Sequence, residues 1–197
     1  IIPLSELVAC YEQRRPVPER SVVLTFDDGF RDNLDAGLGI LERLRAPATV
    51  FVVTGCISSG ELPWSQRLGY VFQRTDRDTA RIDLLSPDPV DLGDDRRRRS
   101  AYLAVKERLR SVAQPERDAV VSAIADRLGV DPPRDRMLSW RDLEEMWGCG
   151  VEIGAHTYSH PYLGEIPHAD AVAEMEHSRE DLRERLGIER PPFCFPA

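Results

Sequence analysis

Apolar and polar positions follow two periods along this chain, and the period assigns most of its elements. The run SVVLTF, residues 21–26, is rich in β-branched and aromatic residues and holds no breaker, so it predicts a buried strand. Leu34, Leu38, Leu41 and Leu44 then recur at helical spacing and predict an amphipathic helix over roughly 33–45. APATVFVVT predicts a second buried strand over about 48–54. Two strands flanking a helix make a βαβ unit, and such units build parallel sheets. At the start of the chain, Leu4, Leu7, Val8 and Tyr11 share a helical face, with Ser5 placed to cap that helix. Later, SWRDLEEMWGCG reads as a helix with Ser139 as N-cap and Gly148 near its end. VEIGAH reads as a short strand. A long helix over about 168–186 carries Val172, Met175, Leu182 and Leu186 on one side and stops at Gly187. FCFPA begins what reads as a further strand.

Residues 57–137 interrupt this alternation. They are rich in Asp, Arg and Pro and show little strand signal. Two helices are predicted there, over about 97–112 and 115–128, the second ending at Gly129. The segment reads as a helical insertion at 57–137 within one α/β domain that spans residues 1–197.

Composition narrows the function. The apolar share of 42% suffices for a core, and the formal net charge of −8 argues against a nucleic-acid partner, which calls for basic faces. The one basic run, Arg96 to Arg99, follows Asp94 and Asp95 and reads as a solvated face. No apolar stretch reaches the length of a membrane span, and no signal peptide is visible. The chain begins with Ile1 rather than Met, so its native N-terminus is expected upstream. Cys10, Cys56, Cys149 and Cys194 lie far apart, form no CxxC pair and read as small buried residues.

Two stretches carry chemistry. In LTFDDGF, residues 24–30, Asp27 and Asp28 follow an apolar run, and Gly29 supplies a turn. Neighbouring side chains on a strand point to opposite faces, so both carboxylates reach one site only where the strand ends. On its own the DDG reads as an acidic loop tip. In GAHTYSHPYL, residues 154–163, His156 and His160 are four apart and directly follow a strand. That is a spacing metal ligands use. Both signals fall at the C-terminal ends of predicted parallel strands, where active sites of α/β proteins collect. Two His and one Asp make a divalent site with open positions, and a neighbouring Asp is then free to act as a general base.

TFDDG, HTYSH and FCFPA together resemble the polysaccharide deacetylases, also called the NodB-homology or carbohydrate esterase 4 family. ATVFVVTG and LSWRDLEEM agree with it, and the resemblance covers most of the chain outside roughly 60–135. It implies a distorted (β/α) barrel. It implies Asp28, His156 and His160 as metal ligands, Asp27 as catalytic base, and Thr157 as the residue that steadies the histidine loop. The implied cofactor is one divalent metal, Zn first, with Co, Ni, Fe or Mn as alternatives. The implied reaction is hydrolysis of N- or O-acetyl groups on a glycan containing N-acetylglucosamine, by attack of metal-bound water on the acetyl carbonyl. A bacterial envelope or exopolysaccharide setting goes with it.

The chain departs from that pattern in two places. The third motif of many members carries an Arg that orients the base, and here Cys194 stands at that position; Arg190 lies nearby without taking the role. The chain also stops at Ala197, where the family continues with further strands and with the His that protonates the leaving amine. A segment of a longer protein, or a truncated product, is therefore expected. Tyr158, Phe195 and Pro196 are candidate groove residues; for Tyr158 and Tyr162, stacking on a sugar and packing as partly buried loop aromatics are both open readings. Trp64, Trp140 and Trp147 read as packing residues, with a substrate contact by Trp64 as its second reading; His168 and His177 read as ordinary positions. Two other functions stay open: an allantoinase-like amidase acting on a small cyclic amide or ureide, and a non-catalytic carbohydrate-binding remnant.

Overall fold

The computed structural model describes residues 1–196. Its centre is a three-stranded parallel sheet in the order β1–β2–β5, with β1 Thr25–Phe26, β2 Thr49–Val52 and β5 Glu152–Ala155. β2 is central and every residue in it is buried, as its unbroken apolar run requires. β1 is an edge strand. Among the described residues it pairs through Thr25 with Thr49 and Phe26 with Val50, and Val22 and Thr25 are exposed. The expectation of a buried strand over 21–26 is thus corrected: an edge strand has one pairing partner and one open side. FCFPA does not form a strand among the described residues. Phe193 makes a single parallel bridge to Ala155, flanked by Ala155 N–H to Pro192 O and Cys194 N–H to Ala155 O. The described sheet is open rather than a closed barrel.

The α1 helix spans Leu4–Glu12 and is not capped by Ser5, which lies inside it. The carboxylate of Glu152 on β5 accepts from the Ser5 amide instead, and also from Thr49 Oγ1 at 2.9 Å. An anion at a helix N-terminus satisfies the same orphan amides as a capping hydroxyl. Val8 and Tyr11 are exposed and Cys10 is the buried residue, so the predicted apolar face of this helix is also corrected.

The helix after β1 opens as a π-helical stretch, Asn33–Leu38, and continues as α2, Gly39–Leu44. Its wider π turn shifts the phase of the leucine stripe. Leu38 and Leu41 enter the core, and Leu44 faces solvent. The remaining helices are α3 Thr54–Ser59, α4 Trp64–Arg74, α5 Asp95–Leu109, α6 Gln114–Leu128, α7 Trp140–Gly148 and α8 His168–Leu186. A short antiparallel pair, β3 Thr79–Ala80 and β4 Val90–Asp91, precedes α5. Ser139 caps α7 as expected, in a reciprocal box with Asp142. Arg31 pairs with the same carboxylate at 3.1 Å and ties the turn after β1 to α7.

Two apolar cores divide the chain. One surrounds the sheet and includes Val50, Val52, Ile153, Leu143, Met146 and Leu182. The other lies among α4, α5 and α6 and includes Trp64, Leu68, Phe72, Val105 and Val121. Ile57, Leu62, Met137 and Leu138 belong to the sheet core, so the second core begins inside the 57–137 segment rather than at its limits. The segment also holds α4, a helix the pattern of charges hid. Trp147 and Cys149 are exposed, which corrects their reading as packed residues. Among the described residues no helix is long and apolar enough to cross a membrane.

Gly154 shows how tightly β5 is held. A Cβ there would stand 2.5 Å from Phe51 Cδ1 and 2.9 Å from Pro192 O. Gly154→Ala is expected to cost about 1–3 kcal/mol, the usual penalty of overpacking. Urea unfolding at constant m-value measures it, and a stability equal to the parent would contradict this packing.

Candidate metal centre

The DDG turn and the histidine loop meet at the C-terminal edge of the sheet because β2 pairs in parallel with both parent strands. The end of β2 holds each of them. Val53 N–H reaches Asp28 O at 3.4 Å, His156 N–H donates to Val52 O at 2.9 Å, and Thr54 N–H reaches Thr157 O at 3.3 Å. Gly29 has a φ of +81°, and a Cβ there would sit 3.0 Å from Val52 Cγ1, so the turn needs glycine. Asp28 itself is left-handed, at φ 71°, a conformation that Asp tolerates better than most residues. This backbone answers why two aspartates stand side by side. The turn sends Asp28 inward, with a side chain 15% exposed, while Asp27 remains exposed.

Asp28, His156 and His160 present ligand atoms that all lie within 4.8 Å of one another. His160 Nε2 is 3.1 Å and His156 Nε2 is 3.6 Å from Asp28 Oδ1. The two imidazole side chains are only 3% and 11% exposed for His156 and His160. Asp28 Oδ1 is buried and, the two imidazole Nε2 atoms apart, faces no donor among the described residues. A buried carboxylate oxygen without a donor is costly, and a cation removes that cost. The donor set of two imidazoles and one carboxylate suits a divalent transition metal with open positions. These residues therefore fit the metal that the sequence suggested.

His156 is prepared for such a role by its surroundings. Its Nδ1 lies 2.9 Å from the Cys194 carbonyl, which accepts a hydrogen bond from Nδ1–H and so leaves the Nε2 lone pair facing Asp28. Burial, and then the neighbouring His160, hold its pKa below the ordinary 6.5. The third motif thus contributes through its backbone, which a side-chain reading of Cys194 could not reveal. Asp27 adjoins Asp28 in the chain, and its charge favours the protonated forms of both His156 and Cys194. Burial pushes the Cys56 thiol up to about 12, so it offers no nucleophile at neutral pH.

The loop between the histidines is held from several sides. Thr157, at φ 68°, is fully buried; its hydroxyl donates to His156 O and accepts from His160 N–H at 3.1 Å. His160 is also left-handed, at φ 58°. Such residues cost on the order of 1–3 kcal/mol each and persist only where the surroundings fix them. Glu174 on α8 supplies part of that fixing: its Oε2 accepts from the amides of Tyr158 and Ser159 at 2.9 and 2.7 Å. Gly55 is packed against this loop, since a Cβ on it would lie 2.6 Å from Tyr158 O. Arg117 of α6 donates to Ser159, and Trp64 donates through Nε1 to His160 O at 3.0 Å.

The other candidates fall as follows. Trp64 is buried, which favours its packing reading over a substrate contact. Tyr158 packs edge-on against His177, centroids 5.7 Å apart. Tyr162 is covered by Arg110 and Lys106, whose charges lie 4.4 and 5.8 Å from its ring centre. Phe195 is 68% exposed beside Phe193, and Pro196 is half-buried. The sequence reading missed Glu174 and Arg117. Arg117 had a readable signal, because it stands in line with Val121, Ile124 and Leu128 on the buried face of α6.

The fold and site together define an α/β protein with a candidate Asp–His–His metal centre at the C-terminal edge of a parallel sheet. The sequence profile described as polysaccharide deacetylase matches residues 14–197, and the chain belongs to that family. Among solved structures it is similar to the Streptococcus pyogenes deacetylase PplD in complex with acetate (17% identity, TM-score 0.55, 100% of this chain and 54% of that one). The BpsB deacetylase domain from Bordetella bronchiseptica is also similar, at 18% identity and TM-score 0.53 over 99% of this chain and 62% of that one. IcaB from Ammonifex degensii matches at 15% identity and TM-score 0.54, over 100% of this chain and 58% of that chain. At such identities the likeness is one of fold, and the chain spans little more than half the length of those structures. No curated protein sequence matches it.

The lowered pKa of His156 gives a pH dependence to the metal-free protein. The unfolded chain takes up this proton near 6.5, the folded chain only at lower pH. The unfolded state therefore binds more protons as pH falls below 6.5, and the stability present above that value is progressively lost. Denaturant titrations of chelated protein at neutral and mildly acidic pH are expected to show this loss, and to show less of it in His156→Gln.

Proposed function

We propose that this chain carries the metal site and general base of a polysaccharide deacetylase that removes acetyl groups from an N-acetylated glycan, N-acetylglucosamine being the expected sugar. The observation that carries the reading is the buried Oδ1 of Asp28 facing the Nε2 atoms of His156 and His160. Asp28, His156 and His160 would hold one divalent cation, zinc first. When bound, the cation supplies a Lewis acid that acidifies water and polarises the acetyl carbonyl. Asp27 stands exposed beside the cluster and takes the proton from the attacking water. The Cys194 carbonyl keeps His156 in the tautomer that presents Nε2. Thr157 fixes the turn that brings His160 to the same point. Membership of the family supports the acetyl group as the bond acted on. In the same reading β1, β2 and β5 belong to a distorted (β/α) barrel, and Phe195 and Pro196 line the approach to the cluster.

The two aspartates are expected to separate cleanly. Asp28→Ala loses metal, read by elemental analysis after dialysis. Asp27→Asn retains the metal and loses acetate release from N-acetylated oligosaccharides by about 10²–10⁴-fold, the range for a missing general base. Equal metal content in both variants and the parent would contradict the division of roles.

A further inference from the structure

The helical segment and the histidine loop meet at one buried cation. Arg117 is 1% exposed and shares a face of α6 with Val121, Ile124 and Leu128. Its Nη2 donates to both Ser159 O and Ser159 Oγ, each at 3.1 Å. Its guanidinium carbon lies 5.0 Å from the centre of the Trp64 ring. Trp64, at the start of α4, is buried too, and donates from Nε1 to His160 O at 3.0 Å. The Nε and Nη1 atoms of Arg117 have no hydrogen-bond partner among the described residues, and burial lowers its pKa.

A guanidinium in this position is an expensive way to fill space. An apolar side chain of similar size would pack between α4 and α6 without desolvating a charge. Only the guanidinium reaches the Ser159 carbonyl and hydroxyl while stacking on the indole whose N–H holds His160. Both contacts fall on the part of the loop that ends in the left-handed His160. Thr157 and Glu174 act on the same two residues: Thr157 Oγ1 accepts from His160 N–H, and Glu174 accepts from Ser159 N–H and from Ser159 Oγ, the hydroxyl that Arg117 also bonds. The helical segment therefore adds a further anchor, from different elements, and among the described residues it alone bonds the carbonyls of Ser159 and His160.

We infer that Arg117 and Trp64 are positioning residues, through which the helical segment fixes the backbone at Ser159 and His160 and aims His160 Nε2 at Asp28. The inference rests on the reading of Asp28, His156 and His160 as a metal site. It gives the helical segment a role in metal affinity without any contact to the metal.

The test is titration of the chelated, purified chain with Co²⁺, followed by its visible absorption, beside circular dichroism and melting of the metal-free protein. Arg117→Met keeps the apolar stem and removes the hydrogen bonds. It is expected to weaken Co²⁺ binding about tenfold or more, as loss of a ligand-orienting contact does, with the helical signal of the metal-free protein retained. A folded Arg117→Met with the parent's Co²⁺ affinity overturns the inference and leaves the metal site intact. If Arg117→Met does not fold, Trp64→Phe decides, since it keeps an aromatic ring and removes only the donor to His160. Weakened Co²⁺ binding by folded Trp64→Phe supports the inference, and unchanged binding overturns it. A parent chain that takes up no Co²⁺ overturns the metal reading itself, and this inference with it.

Discussion

The parallel pairing of β2 with β1 on one side and β5 on the other is the constraint on which this site depends. Parallel strands end on the same edge of a sheet, so whatever follows them in sequence meets in space. DDG follows β1 and HTYSH follows β5, although about 130 residues separate the two in the chain. β2 registers both: Phe26 against Val50, and Val50 against Ile153. Its last carbonyl then holds His156, and the two amides that follow it, of Val53 and Thr54, hold Asp28 and Thr157. A slip in either pairing would turn the side chains to the wrong face and separate the carboxylate from the imidazoles.

At that edge the chain accepts several unfavourable local states. Asp28, Thr157 and His160 are left-handed, and Asp28 Oδ1 and two nitrogens of Arg117 are buried without hydrogen bonds among the described residues. Each is destabilising taken alone, and all lie within or against one pair of loops. Strain and unsatisfied polar groups concentrate where a structure is shaped for a ligand rather than for its own stability. Around them the contacts are redundant: the sheet, α3, α4, α6 and α8 each bond to the histidine loop. The second apolar core, among α4, α5 and α6, includes Trp64, one of the helical anchors.

Much of this was legible in the sequence, for reasons that differ by element. The βαβ unit, the Ser139 cap and the long helix 168–186 follow from local patterns that tertiary context did not override. That His156 and His160 would meet a carboxylate of the DDG turn could be read from strand ends and spacing; that the carboxylate is Asp28 rather than Asp27 was what the family resemblance implied. The burial of β1 could not, because an apolar run does not say whether its strand lies at the centre or at an edge. Ser5 failed as a cap because Glu152, far away in sequence, reaches that helix first. Leu44 left the core because a π turn changes the phase of the stripe. The hold on His156 escaped notice because it uses a backbone carbonyl, which any residue at position 194 would offer. Glu174 is one carboxylate among many on a charged helix, whereas Arg117 was visible as an arginine on an apolar face.

Metal content tests the central claim most directly. The purified chain, reconstituted with Zn²⁺ and dialysed, is compared by elemental analysis with His160→Ala. Close to one equivalent in the parent, lost in the variant, is the expected result. No retained metal in a folded parent, or equal retention in both proteins, would contradict an Asp28–His156–His160 metal centre.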